Sequence, residues 1–207
     1  MDIKTVVTPH YNSNSYIIII DTKCVIVDIN LETINYVKEY NLEPEYLFLT
    51  HEHLDHIKGT SQIKKLYPSI KIISSKVAAE NIKNIRENLS LYFDGIGFEE
   101  DGVDIFIEDE NEFIFQDILI KTYNTPGHSE GSIVINTDNL LFTGDTVLDV
   151  KTPVNLPHSS KIKLKESIDF IDENFSDDIV FYIGHGDPFL KKNWDKDKSI
   201  GQKKYMV

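Results

Sequence analysis

Apolar residues arrive in short blocks along the first third of the chain. "IKTVVTP" (3–9), "SNSYIIIID" (13–21) and "CVIVDI" (24–29) are runs rich in Ile and Val, parted by Asn, Ser, Asp and Lys. Blocks of that length and composition predict a buried meander of strands. Asn30 then offers a capping side chain to a helix whose Leu31, Ile34 and Val37 fall on one face. "YLFLT" (46–50) is the next buried strand, and Ile63, Leu66 and Tyr67 mark a following helix that Pro68 ends.

The middle of the chain continues with a short strand, "KIIS", and a helix predicted from Ala78, Ile82, Ile85 and Leu89 at helical spacing. The segment from Leu91 to Gly102, rich in Gly and acids, reads as a surface loop. "VDIFIE", "EFIFQ" and "ILIKTYN" are strands, and "SIVINTDNLLFTG" folds as two strands about a "TDN" turn. Leu164, Ile168, Ile171 and Phe175 trace an amphipathic helix, and "DIVFYIG" is the last strand. No repeat, low-complexity stretch or linker divides residues 1–207, so a single domain is expected. Strands with interleaved helices, twice over, predict two sheets packed face to face with helices outside.

Composition narrows the setting. A chain of 207 residues can bury roughly 70% of its unfolded surface without staples. Cys24 is the single cysteine, which rules out an internal disulfide and points to a reducing, cytoplasmic compartment. No window approaches the about 18 apolar residues of a membrane span, and the start lacks the basic flank and apolar run of a signal peptide. A formal charge of −13 argues against nucleic acid as a partner, because that binding rests on Lys and Arg displacing counterions. Against this acidic background the tail from Lys191 to Val207 carries six lysines and two aspartates. It reads as a solvated terminus, with docking of an anionic substrate or a partner subunit as the alternative.

Candidate chemistry concentrates in "FLTHEHLDHIKGT" (48–60), which places His51, His53, Asp55 and His56 within six residues of a chain with seven histidines. His51 and His53 stand two apart after an extended run, so their imidazoles project to the same side and can share one ion. Asp55 and His56 are adjacent at the expected first turn of the next helix and suit a neighbouring second ion. Three more polar groups follow strands through Gly or Pro turns: His128 in "TPGHSEGS", Asp145 in "FTGD" and His185 in "GHGD". Imidazole nitrogen and carboxylate oxygen suit Zn²⁺, and also Fe²⁺ or Mn²⁺. Any one of these histidines alone would be an ordinary loop residue; the clustering is what points to metal.

"THEHLDH", with His128, Asp145 and His185 in order behind it, resembles the metallo-β-lactamase superfamily over nearly the whole chain. The resemblance implies an α/β fold, the αββα four-layer sandwich, with a site for two divalent metal ions where strand ends meet. It assigns His51, His53 and His128 to one ion and Asp55, His56 and His185 to the other, with Asp145 bridging them. Two cations about 3.5 to 4 Å apart hold a bridging water, lower its pKa toward neutrality and polarise a scissile carbonyl. Asp55 then becomes the catalytic candidate, orienting the nucleophile and shuttling a proton to the leaving group. Thr50, Thr143 and Ser129 are candidates to hydrogen-bond the ligands.

Within the superfamily, an aspartate at position 145 disfavours β-lactam hydrolysis, and His53 stands where flavodiiron proteins carry Glu. The chain also lacks the basic exosite of the nucleases, and the only Tyr between Asp145 and His185 is Tyr182, inside a strand, unlike the lactonases. The segment from Val154 to Pro188 is similar to the glyoxalase II type of thioester hydrolase. It departs from that type at Val154 and Asn155, and only 22 residues follow His185 where longer enzymes carry a glutathione-binding helical domain. The expected activity is thioester hydrolysis on a small molecule. The alternatives are a persulfide dioxygenase using one Fe²⁺ on His51, His128 and Asp145, another ester or lactone hydrolase, and a noncatalytic metal-binding module. His158 is expected in the substrate pocket, Tyr11 and Asn12 at its border, and His10 in a structural or exposed role.

Overall fold

The structure, a computed structural model, describes residues 1–200. The Ile- and Val-rich blocks form the antiparallel strands β1 (Asp2–Val7), β2 (Asn14–Ile20) and β3 (Lys23–Val27). Helix α1 (Leu31–Glu39), whose cap Asn30 accepts the Thr33 N–H, crosses over to β4 (Glu43–Phe48), parallel to β3. Two short helices, α2 (Leu54–Ile57) and α3 (Thr60–Leu66), lead to β5 (Lys71–Ser75). Helices α4 (Lys76–Asn81) and α5 (Ser90–Phe93) precede β6 (Ile105–Ile107), which closes a sheet in the order β1-β2-β3-β4-β5-β6.

The second sheet starts from a meander of β7 (Glu110–Phe115), β8 (Ile118–Asn124), β9 (Ile133–Thr137) and β10 (Leu140–Gly144). Helix α6 (Lys161–Asn174) crosses to β11 (Val180–Ile183), parallel to β10, and β12 (Phe189–Leu190) adds an edge. A 3-10 turn (Lys191–Asn193) and α7 (Lys196–Ser199) follow.

Period-two alternation decides which side chain enters which layer. Tyr16, Ile18, Val25, Val27, Phe48, Ile133, Ile135 and Phe142 fill the space between the sheets. Their neighbours Ile17, Cys24, Ile26 and Leu47 point outward beneath Ile34 and Val37 of α1 and Ile63 of α3. On the far side, Val134, Leu141 and Phe181 meet Ile171 of α6. Both faces of the central strands are therefore covered, which is why their sequences read as continuous apolar runs. This is the four-layer αββα arrangement that was expected. Cys24 is a buried free thiol, and among the described residues no helix is long and apolar enough to cross a membrane.

Three local expectations are corrected. The helix expected through Ala78, Ile82, Ile85 and Leu89 stops at Asn81. Downstream, the Asn88 amide donates to the carbonyls of Ile82 (3.1 Å) and Phe98 (2.7 Å), and its oxygen accepts the Ser90 N–H (2.9 Å). Asn side chains that compete for backbone groups in this way replace helix with turns, and Leu89 sits at φ 65°. The segment expected as loop from Leu91 consequently begins inside α5. Second, the helix carrying Asp55 and His56 is separate from the one carrying Ile63: Gly59, at φ 127°, breaks them, and Glu100 accepts the N–H groups of Gly59 (2.8 Å) and Ser61 (2.7 Å). Third, the basic tail is packed at Lys191, Ser199 and Ile200 and not solvated throughout. Lys191 is buried and its Nζ donates to the carbonyls of Asp172 and Phe175, both at 2.6 Å, at the C-terminal end of α6. The remainder of the basic tail, 201–207, lies outside the described residues.

Phe142 is fully buried between the sheets, whereas Ile162 on α6 is 74% exposed. Phe142→Ala is expected to lose about 3–5 kcal/mol in urea denaturation, and Ile162→Ala to stay within about 0.5 kcal/mol of the parent.

Candidate metal centre

All seven candidate donors gather at one edge of the sandwich. His51 and His53 lie on the loop that leaves β4, and Asp55 and His56 lie in α2. His128 follows β8, Asp145 directly follows β10, and His185 follows β11. Ligand atoms of His51, His53 and His128 lie within 4.8 Å of one another, and all three side chains are buried. Asp55, His56 and His185 form a second group under the same 4.8 Å limit. Asp145 faces both: Oδ2 is 3.5 Å from His128 Nε2 and 3.4 Å from His185 Nε2, and Oδ1 is 3.6 Å from His56 Nε2.

Hydrogen bonding fixes which imidazole nitrogen His51, His56 and His128 present. Thr50 Oγ1 donates to Asp28 Oδ2 (2.7 Å), so toward His51 Nδ1 (2.9 Å) it can only accept, and His51 Nε2 carries the lone pair. Likewise His128 Nδ1 donates to the Pro153 carbonyl (3.0 Å) and His56 Nδ1 to Asp28 Oδ2 (2.8 Å). Lone pairs therefore converge on the centre. His51 Nε2 and Asp145 Oδ1 are buried without a hydrogen-bond partner, and His128 Nε2 meets His53 Nδ1 at 3.0 Å. Leaving such atoms unsatisfied costs about 1–3 kcal/mol each. A divalent cation fits this donor set, since it supplies what those lone pairs lack.

Asp28 is the participant that the sequence reading missed. Besides His56, it accepts the backbone N–H of Thr50 at 2.7 Å and the Thr50 hydroxyl, and it sits at φ 57° directly after β3. Its available signal was a carboxylate at the end of a buried strand, the setting shared by the donors. Thr50 thus acts as expected, whereas Ser129 and Thr143 do not touch a donor. Ser129 donates to the buried Glu52 (2.8 Å), which also accepts from Asn81 (3.1 Å), and Thr143 donates to the carbonyls of Gly144 (3.2 Å) and Val147 (3.1 Å). Close approach makes one glycine indispensable: a Cβ on Gly184 would stand 1.9 Å from Asp145 Oδ1. The His185 segment is tied down by β2, where Asn14 Nδ2 donates to the carbonyls of Ile183 (2.9 Å) and Gly186 (2.7 Å) and the Tyr16 hydroxyl to that of Ile183 (2.6 Å).

The two donor groups differ electrostatically. Burial, reinforced by the neighbouring imidazoles, holds His51 well below the ordinary imidazole range and His53 down at about 3. Burial also acts to lower His56 and His185, but Asp55, Asp145 and, for His56, Asp28 outweigh it and lift them to about 9 and about 11. Reciprocally, burial would raise Asp55 and Asp145, and the facing histidines pull both below the usual carboxylate range. His51 and His53 are thus drawn toward the neutral form, and His56 and His185 toward the protonated form by the carboxylates beside them.

A cavity of about 460 Å³ opens beside Asp55, with His10 and Tyr11 on its wall, and another of about 490 Å³ opens beside His185. Asn12 is absent from both linings, and His10 is exposed. His158 lines neither cavity; at φ 59° and half exposed, its Nε2 pairs with Glu87 at 2.7 Å.

Two face-to-face sheets with a histidine- and aspartate-rich centre at their edge define a class of metal-site proteins. Residues 8–185 match the family model of the metallo-beta-lactamase superfamily, and the chain belongs to that superfamily. Among curated proteins it is 32% identical over 164 residues to Glyoxylase B2 of Dictyostelium discoideum, covering 75% of this chain and 54% of that protein. It is 27% identical over 160 residues to the hydroxyacylglutathione hydrolase of Bartonella henselae, covering 73% of this chain and 52% of that one. The chain thus spans about half the length of these curated relatives. Among solved structures, the BLEG-1 B3 metallo-beta-lactamase superposes with a TM-score of 0.83 at 22% identity, covering 97% of this chain and 95% of that one, a likeness of fold.

Two outcomes test the centre. Asp28→Ala is expected to weaken metal binding by about 10- to 100-fold in competition with a chromogenic chelator. Stripping metal with a chelator is expected to lower Tm, and added Zn²⁺ to restore it with a concentration dependence, as for any ligand that binds only the folded state.

Proposed function

We propose that this chain is a thioester hydrolase of the glyoxalase II-like type, working with two divalent ions, zinc foremost and iron or manganese as alternatives. The observation that carries this reading is Asp145, whose two oxygens face both donor groups at once. His51, His53 and His128 would hold one ion, and Asp55, His56 and His185 the other. Bound there, the ions supply a water of lowered pKa and an electrophilic contact for the substrate carbonyl.

The chain's own residues do the rest. Asp55 lines the cavity while its Oδ2 lies 3.4 Å from His185 Nε2 and 3.5 Å from His56 Nε2. That placement suits it to take the proton of the attacking water and hand it to the departing thiolate sulfur. Asp28 and Thr50 keep His51 and His56 in the tautomers that aim lone pairs inward. The relatives named hydroxyacylglutathione hydrolase support a thioester as the scissile bond. Small molecules rather than nucleic acid or membrane are the partners in this reading, and one buried free cysteine accords with a reducing cytoplasm.

Elemental analysis of the isolated protein followed by a panel of thioesters, esters and lactones tests this. Turnover of thioesters is expected, and His53→Ala and Asp55→Ala are expected to lose at least about 100-fold of it with the circular dichroism spectrum unchanged. Full activity in either variant would refute the assignment. One iron per chain with sulfur-dependent oxygen uptake would instead make it a persulfide dioxygenase, and partner binding without turnover a noncatalytic module.

A further inference from the structure

Apart from Asp55 itself and Lys58, the cavity beside Asp55 is walled by three pieces of chain that carry no metal donor. The β1–β2 loop contributes Pro9, His10 and Tyr11, the start of α1 contributes Leu31, and the glycine-flanked loop Asp94–Phe98 contributes Ile96 and Phe98. Gly95 and Gly97, at φ 75° and 78°, give that last loop a path that other residues rarely adopt. The loop is nevertheless anchored: Asp94 accepts from the Tyr11 hydroxyl and from Lys58 Nζ (3.1 Å), and Lys58 lies 5.2 Å above the Phe98 ring. Between these anchors Ile96 stands 89% exposed at the cavity rim, an apolar side chain left uncovered among the described residues.

Charge decides what can lie against it. The wall carries three carboxylates, Glu32, Asp55 and Asp94, and its one lysine, Lys58, is already paired with Asp94. With Asp94 neutralised by Lys58 and Asp55 turned to the donor groups, Glu32 is the carboxylate that an anionic chain end would meet, and no second lysine or arginine among the described lining residues can receive it. The cavity beside His185, by contrast, is lined by Asp149, Asp187 and Asn193 and is the more polar of the two.

We infer that the Asp55 cavity is the acyl pocket, and that it takes an uncharged aliphatic acyl chain, with Ile96 and Phe98 as its specificity-determining contacts. The inference rests on the thioester reading for the identity of the bond, but the pocket itself can be probed without turnover. Burying successive methylenes against these side chains should tighten binding about two- to fourfold each.

The experiment pairs binding with catalysis. Non-hydrolysable amide isosteres of acetyl, butyryl, hexanoyl and octanoyl N-acetylcysteamine are titrated calorimetrically into metal-loaded protein, alongside a succinyl isostere. Affinity is expected to rise along the aliphatic series and to fall below the butyryl value for the succinyl compound. Ile96→Ser, at an exposed position that does not threaten folding, is expected to flatten the series. The matching thioesters are expected to follow the same order in kcat/KM. Affinity that is indifferent to chain length, preference for the succinyl compound, or an unaltered slope in Ile96→Ser would overturn the inference. A chain-length-dependent affinity without hydrolysis of any thioester would uphold the pocket and refute the thioester hydrolase reading instead.

Discussion

The centre depends on one buried carboxylate. Asp28 accepts from the backbone and hydroxyl of Thr50 and from the ring of His56, and in doing so it joins the end of β3 to the loop after β4 and to α2. Hydrogen bonds to a charged acceptor are about twice as strong as neutral ones, and in a water-free interior their geometry is held tightly. Thr50 in turn orients His51, so a single side chain sets rings that belong to both donor groups. Its left-handed backbone, which Asp tolerates better than most residues, turns the carboxylate toward its three donors.

Around that anchor the fold supplies convergence. The donors come from points far apart in the chain, and they meet because β4, β8, β10 and β11 end at one edge of the sandwich. Ligands commonly bind beyond the carboxyl ends of strands, where each strand releases one loop and the sheets hold the loop bases in place. Asn14 and Tyr16 extend this stitching across the sandwich, since they rise from the first sheet and grip the carbonyls around His185 on the second.

Much of this was legible in the amino-acid sequence, for identifiable reasons. Continuous apolar runs in β2, β3, β9 and β10 announce strands covered on both faces, because a strand with one solvated face would alternate apolar and polar positions. His51, His53, Asp55 and His56 were legible by their clustering behind an apolar run, and His128, Asp145 and His185 because each follows an apolar run through a Gly or Pro turn. Asp28 escaped notice because a lone carboxylate has no spacing partner to mark it. The helix expected through Leu89 failed because Ile82 and Leu89 are indeed buried, while Asn84, whose side-chain oxygen accepts the Arg86 N–H (3.0 Å), and Asn88 redirect the backbone; apolar spacing reports burial, and only the side-chain hydrogen bonds report path. Lys191 misled for the opposite reason: a lysine in a basic tail looks solvated until α6 is seen to end with carbonyls at its ammonium.

Asp55 aside, the donors and the cavity wall sit on different pieces of chain, and this has an evolutionary corollary. Every donor stands at a strand end or in α2, whereas Pro9, Tyr11, Ile96 and Phe98 lie on the β1–β2 and Asp94–Phe98 loops. Insertions or exchanges in those loops can reshape the cavity without disturbing the geometry of the donors. A descendant of this chain can acquire a differently shaped cavity by editing two loops while inheriting the same donor set intact.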